Sequence, residues 1–375
     1  MTPDPRVDPV AVALAAGDQP ARAAGRLKSE LRTWPECPLG DALMLLARHG
    51  PGAEAHWRAE AVRTLAGADA AGFGVLWPSH PDYPPLLAAI VDPPLMLWTH
   101  GDRAALHRPV VALVGSRQAT LGGREVAAAL AGDLAAAGVV VASGFARGID
   151  AAAHRAAAAQ GTTLAVLGCG LDVDYPRDHD RLRHDILVRG LVVSEFAPGT
   201  PPRPHHFPLR NRALSGLASA VVVVQAAARS GSLITARLAL EQGREVMAVP
   251  GDVRTGAHAG THALLRDGAR LVERAADVLE ELGWSGSDRP PGSPIGSVCG
   301  NDGDGRLGEP SLPDEHTAAP LLTLLGREDG VSLDDLLGQT GRNPSDLLGE
   351  LLDLELAGLV RRDPGGRFLP SERKW

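Results

Sequence analysis

The chain has 375 residues, a formal net charge of −8 and three scattered cysteines (Cys37, Cys169, Cys299) without a CxxC pair, which excludes a disulfide framework and a zinc knuckle and fits a reducing compartment. No apolar run approaches membrane-spanning length, and the first residues lack a basic n-region, so the chain reads as cytoplasmic, with no membrane partner. The acidic balance gives no global sign of nucleic-acid binding, and lysine occurs only at Lys28 and Lys374, which excludes a Walker or Schiff-base lysine in the central region.

In chain order, residues 1 to about 105 read as an accessory domain, mostly helical in its first half. Ala42–Gly50 has helical spacing and a glycine stop, and Ala53–Ala66 fits a second helix. Such a unit is either a helix-hairpin-helix DNA binder or a packing module. Phe73–Pro78 (FGVLWP) reads as a short strand, and the proline-studded stretch His80–Asp102 packs across the junction into a central sheet domain. The six tryptophans all lie outside that expected sheet, and the few phenylalanines are therefore informative.

Residues 106–283 alternate buried strands with helices. Val110–Val114 runs into Gly115-Ser116-Arg117 and a helix from about Gly122; Val139–Ser143 runs into a glycine-hinged turn and an alanine-rich helix; Thr163–Leu167 ends in Gly168-Cys169-Gly170. A helix near Arg177–Val188, a strand at Leu191–Ser194, a long loop over Glu195–Pro208, a strand at Ala220–Val224 and another at Glu245–Val249 complete the alternation. This pattern predicts an α/β fold, a parallel sheet with helices on both faces, whose ligands gather at the carboxyl ends of the strands. Residues 284–315, rich in glycine, proline, serine and aspartate, read as a disordered linker. Residues 316–375 read as three short helices and a hairpin with a Pro-Gly-Gly turn, a winged-helix arrangement. The helix expected at Pro344–Leu356 carries Asp346, Glu350, Asp353 and Glu355 and no basic residue, so this module reads as protein-binding or vestigial, with Arg361, Arg362 and Arg367 on the wing.

The loops after the central strands hold Ser116 and Arg117, Phe145 and Arg147, Arg203, His205, His206, Phe207, Arg210 and Arg212, then Arg229, Ser230 and Ser232. Parallel topology brings them to one sheet edge. Arginine forks suit phosphate oxygens, the Ser230-Gly231-Ser232 helix start adds backbone donors, and the loop phenylalanines Phe145, Phe196 and Phe207 supply rings for unpaired bases. That combination points to single-stranded nucleic acid; the competing reading is surface charge and loop staples. Among enzymatic readings, Asp150 and His154 stand four apart on one helix face, either as an acid–base pair or as a helix-end carboxylate with a packed histidine. His258 and His262 have metal-ligand spacing without a third ligand, and GSRQATLGG after Val114 is not a dinucleotide fingerprint, so no metal and no cofactor is expected.

The ordered motifs VALVGSR, SGFARGIDAAAH, VLGCGLDVDYP, SEFAPG, FPLRNRALSGL, SGSLITA and AVPGD resemble the DNA-processing protein A (DprA/Smf) family over most of residues 75–275, and LLDLELAGLVRRDPGGRF is similar to its winged-helix tail. The resemblance implies a Rossmann-like domain that binds single-stranded DNA without catalysis, an N-terminal sterile-alpha-motif-like or helix-hairpin-helix domain, and a homodimer formed through the sheet domain. It also implies protection of incoming DNA in natural transformation and loading of the recombinase RecA. By motif, the DNA-binding residues are Gly115, Ser116 and Arg117; Ser143, Gly144, Phe145, Arg147 and Gly148; Phe207, Arg210, Asn211 and Arg212; and Ser230, Gly231 and Ser232. The chain departs from the family at Gln225, where glutamate is usual, and at His262, where asparagine is usual, both expected beside the pocket. The runner-up is a related Rossmann-like enzyme cleaving nucleotide N-glycosidic bonds with Asp150 or Glu195 as acid or base, although its PGGxGT turn is not found.

Overall fold

The computed structural model describes residues 4–284, apart from 18–19, 32–37 and 49, together with 331, 336, 347, 351, 360–362 and 368–370. The chain divides into two compact units, residues 1–294 and 295–375.

The first unit opens with helices α1 (Val7–Ala16), α2 (Pro20–Glu30), α3 (Leu39–Leu45) and α4 (Ala53–Ala70). Strand β1 (Gly74–Leu76), helix α5 (Pro85–Ala89) and strand β2 (Leu97–Gly101) come next. The alternating stretch then gives β3 (Val110–Gly115), α6 (Leu121–Ala136), β4 (Val140–Ser143), α7 (Ile149–Gln160), β5 (Thr163–Leu167), α8 (Asp180–Leu187), β6 (Leu191–Ser194), α9 (His206–Leu217) and β7 (Ala220–Gln225). It closes with α10 (Ser232–Glu241), β8 (Glu245–Ala248), α11 (Ala259–Arg266), β9 (Arg270–Leu271) and α12 (Ala275–Glu281).

Among the described residues, nine strands form one sheet in the order β1-β2-β6-β5-β4-β3-β7-β8-β9. Strands β3 to β9 run parallel, and β2 pairs antiparallel with β6, as β1 does with β2. The order reverses between β3 and β7, which puts a crevice at their carboxyl ends. Burial on both faces explains the apolar runs. Val111, Leu113, Val222 and Val224 pack with α6 and α7, whereas Val110, Ala112, Val221 and Val223 pack with α9 and α10. The N-terminal helices join a third cluster with Trp98, Leu167, Val192 and Ile186.

Two expectations need correction. Trp98 lies in the sheet, on β2, at 1% exposure, because the proline-studded segment adds a hairpin to the sheet's edge. The helix expected after Pro208 begins at His206, since a proline in the first helical turn lacks only an N–H that would be unsatisfied anyway.

In the second unit, β10 (Val360–Arg362) and β11 (Phe368–Pro370) form an antiparallel hairpin, and Val331 bridges to Phe368. Leu336, Leu347 and Leu351 are helical and buried. The linker expected over residues 284–315, after its first residue, and the rest of the helices expected beyond it lie outside the described residues.

Inside the sheet domain, His154 is fully buried on α7. Thr163 Oγ1 donates to Val141 O at 2.7 Å, so it accepts from His154 Nδ1–H, also at 2.7 Å. That fixes a neutral imidazole with the proton on Nδ1. Its Nε2 has no hydrogen-bond partner among the described residues, and burial, helped by the nearby His179 and Arg210 and opposed by the Ser143 backbone, lowers the pKa from its ordinary 6.5 to about 3. The unfolded chain therefore binds a proton that the folded chain refuses between pH 6.5 and about 3. Stability from this group is full above pH 6.5 and is lost as the pH falls, by up to about 1.4 kcal/mol per pH unit. His154→Asn keeps a donor toward Thr163 and cannot titrate, so chemical denaturation of the variant should show a shallower loss between pH 6.5 and pH 4. An acid limb as steep as the wild type's would show that His154 is not its source.

Candidate nucleic-acid interface

The loops after β3 and β4 hold one another. Ser116 N donates to Gln225 O at 2.8 Å, Thr120 N to Gln225 Oε1 at 2.9 Å, and Ile149 N, at the start of α7, to Ser116 O at 3.2 Å. Gly148 has φ +79°, and a Cβ there would collide with the Ser116 carbonyl oxygen and crowd that of Arg117, so only glycine lets α7 approach this closely. Asp150, buried in the first turn of α7, accepts from Ala146 N at 3.2 Å. Burial pushes its carboxyl above the usual range, with the Arg210 charge acting against that push.

Arg210 reaches this point from α9. Its side chain is buried, one guanidinium nitrogen donates to Val166 O at 3.4 Å, and Nε has no hydrogen-bond partner among the described residues. A Cβ on Gly144 would overlap the guanidinium. The glycine after β4 therefore makes room for a cation.

Two clefts meet there. One, of about 550 Å³, is lined by Gly115, Ser116, Arg117, Asp150, Phe207, Arg210, Asn211, Ser230, Gly231 and Ser232. The other, of about 640 Å³, is lined by Arg117, Gly144, Phe145, Arg147, Leu167, Cys169, Tyr175, Phe207 and Arg210. Arg117, Phe207 and Arg210 are shared. The Arg117 guanidinium lies 5.1 Å from the centroid of the half-buried Phe207 ring, and the Tyr175 ring stands 5.7 Å from the same centroid. Arg147 is exposed and bidentate on Asp178, whose carboxyl it holds below the usual range.

Several sequence expectations are displaced by this geometry. Phe145 is 4% exposed with its ring edge-on to His179, and Phe196 is 4% exposed and stacked on His206 at 4.0 Å. Neither ring is bare; β-strand ends of an alanine-rich core need large side chains to fill them. Ser143 is fully buried and its hydroxyl donates to Leu113 O at 2.6 Å. Phe207, Arg210, Asn211 and Arg212 ride on a helix, so their side chains fan out and cannot all face the clefts. Arg212 points away from them. It grips the buried Glu195 at 2.5 and 2.6 Å and stands 3.5 Å from Asp92. Glu195 is thereby held by Arg212, and His154 is sealed in the core, so the expected Asp150–His154 pair does not form at the cleft and, of the two carboxylates Asp150 and Glu195, Asp150 lines it. Gln225 is 1% exposed, bolting β7 to the β3 loop, and His262 contacts Gly251 instead of the clefts. Tyr175, Asp178 and Cys169 were not among the expected site residues, although they come after β5 and the rule that collected the other loops applies equally to them.

Residues 74–283 match the family described as DNA recombination-mediator protein A, and residues 307–366 match the DprA winged helix domain. The chain is 40% identical over 288 residues to Protein Smf of Escherichia coli, covering 76% of this chain and 74% of that protein. It is 45% identical over 205 residues to DNA processing protein DprA of Streptococcus pneumoniae, covering 53% and 71% respectively. The X-ray structure of DprA from Streptococcus pneumoniae superposes with a TM-score of 0.64 at 36% identity, covering 72% of this chain and 95% of that one. A structure describing the single-stranded DNA binding mode of DNA processing protein A from Helicobacter pylori superposes with a TM-score of 0.52 at 30% identity, covering 56% and 95%.

The Arg212–Glu195 pair bears on stability alone. Arg212→Ala leaves a buried carboxylate without its partner and should lower the unfolding free energy by about 3–5 kcal/mol in urea denaturation. A loss under about 1 kcal/mol, the range of an exposed pair, would mean the guanidinium is not structural.

Proposed function

The chain belongs to the DNA recombination-mediator protein A family, and from that premise we propose that it binds single-stranded DNA along the carboxyl edge of its sheet, without catalysis. The observation that carries the reading is that Arg117, Arg147, Phe207 and Arg210, distant in sequence, line one cleft. Guanidinium groups there neutralise phosphates, the start of α10 lines the neighbouring cleft with Ser230, Gly231 and Ser232, and Phe207 offers a ring for an unpaired base. The Helicobacter pylori relative, described by its single-stranded DNA binding mode, supports the same choice of ligand. The residues proposed to contact DNA are those of the two clefts other than Phe145, which with Gly148 shapes the loop that positions the others; Ser143 and Arg212 serve the fold.

In the fuller reading, the protein acts in the cytoplasm as a homodimer joined through the sheet domain, shields incoming strands during natural transformation, and loads RecA onto them. No described helix is long and apolar enough to cross a membrane. The C-terminal module is proposed to bind a protein partner, since its longest expected helix is acidic.

Gel-shift titration of single- against double-stranded oligonucleotides tests the binding reading: the single strand should bind more tightly, with a log–log salt slope of about −0.7 per neutralised phosphate. No preference for the single strand would overturn it. Arg117→Ala should weaken all sequences alike, and Phe207→Ala should cost roughly 1–3 kcal/mol of binding. A loss no larger than at an exposed control position would reduce Phe207 to a loop staple. Asp178→Asn releases Arg147 for phosphate and should raise affinity by roughly twofold to fivefold, the small gain expected from freeing an exposed pair. Unchanged affinity would show that Arg147 stays off the strand.

A further inference from the structure

The clefts use the carboxyl ends of β7, β3, β4 and β5, but a second gathering of arginines lies elsewhere in the same unit. Arg22 and Arg26 on α2 and Arg48 just beyond α3 line a hollow of about 430 Å³, floored by Ala15, Ala16 and Ala23. All three arginines are exposed. Arg26 pairs with Glu30 at 3.1 Å, and the described lining of the hollow carries three guanidinium groups and no carboxylate in a chain of net charge −8. Arg22 and Arg26, one helical turn apart, repel each other, so the fold gains nothing from their juxtaposition. The alanine floor lets an anion approach closely and presents no ring for a base.

The position of the hollow connects it to the clefts. Leu14 and Gly17 at the end of α1 and Pro20 at the start of α2 face Phe196, Ala197 and Thr200 in the loop after β6, across a small cavity of about 140 Å³. The hollow is built on the neighbouring Ala15 and Ala16, so it lies at the same end of α1 as the loop after β6. From β7 through β3, β4 and β5 to β6 there are four strand intervals, or about 20 Å at about 4.8 Å each.

We propose that this hollow is an outer phosphate site for the same single strand, which runs from the clefts past β6 onto the N-terminal helices. The inference rests on the strand-binding reading above. A flexible single strand can follow the twisted edge of a sheet. Contacts in the hollow are to phosphates alone, so they lengthen the footprint without adding sequence preference.

The test uses the full chain carrying Arg22→Gln, Arg26→Gln and Arg48→Gln together, with Arg117→Ala as the comparison, on oligothymidylates of about 4 and about 16 nucleotides. The triple variant should lose roughly tenfold affinity for the long strand, with its salt slope shallower by about 2, and less than twofold for the short one. Arg117→Ala should weaken both lengths. An equal loss at both lengths, or no loss at either, overturns the outer site. Weaker binding of duplex with unchanged binding of the long single strand overturns it in favour of a duplex site. If the wild type binds neither oligonucleotide at low salt, the strand-binding reading falls and the outer site falls with it. If Arg117→Ala weakens both lengths while the triple variant matches the wild type, only the outer site falls.

Discussion

A buried guanidinium lies at the centre of this structure. Arg210 sits over Gly144 where the two clefts meet, with one long hydrogen bond to Val166 O and an Nε that nothing in the described protein satisfies. An unpaired buried charge is costly, and the surrounding geometry tolerates it only because several constraints hold it there. Gly144 leaves the space, Gly148 lets α7 close on the β3 loop, and Asp150 supplies a nearby negative charge. The cost becomes intelligible if an anion completes the site, since a charge-assisted pair formed away from water is among the stronger polar contacts a protein makes.

The same logic separates the arginines. An acidic chain that uses almost no lysine must do with arginine everything that cations do, and the structure assigns its arginines different tasks. Arg212 is structural, clamped on Glu195 with Asp92 nearby. Arg147 is held at the surface by Asp178, in a contact that a phosphate could replace. Arg117 lies over the Phe207 ring, where a planar, delocalised cation can stack and still donate. Composition alone could not distinguish these roles, because each depends on which neighbour the fold supplies.

Much of the architecture was legible. β-branched runs ending in glycine marked β3, β4 and β5, the valine run Val221–Val224 marked β7, and parallel order then brought their distant loops to one edge. Arg117 and Arg210 emerged from that rule without any knowledge of side-chain direction. Direction is where the reading failed. A helix starting at His206 instead of a loop turns Arg212 away from Arg210, and two residues of spacing decide between core and cleft. The phenylalanines misled for a related reason: in a chain with so many alanines, Phe145 and Phe196 are needed as filler where loops meet the core. Trp98 was misplaced because an antiparallel hairpin added from outside the alternating stretch leaves no trace in its periodicity. His154 and Asp150 share a helix face, yet one turn of α7 is enough to separate the buried core from the cleft wall.

The most direct measurement is a structure of the full chain bound to a short oligothymidylate. The account predicts a phosphate oxygen about 2.7–2.9 Å from the Arg210 guanidinium, with Arg117 on the same strand and a base against Phe207. A strand bound elsewhere, with Arg210 still turned to Val166 O and both clefts empty of phosphate, would contradict it.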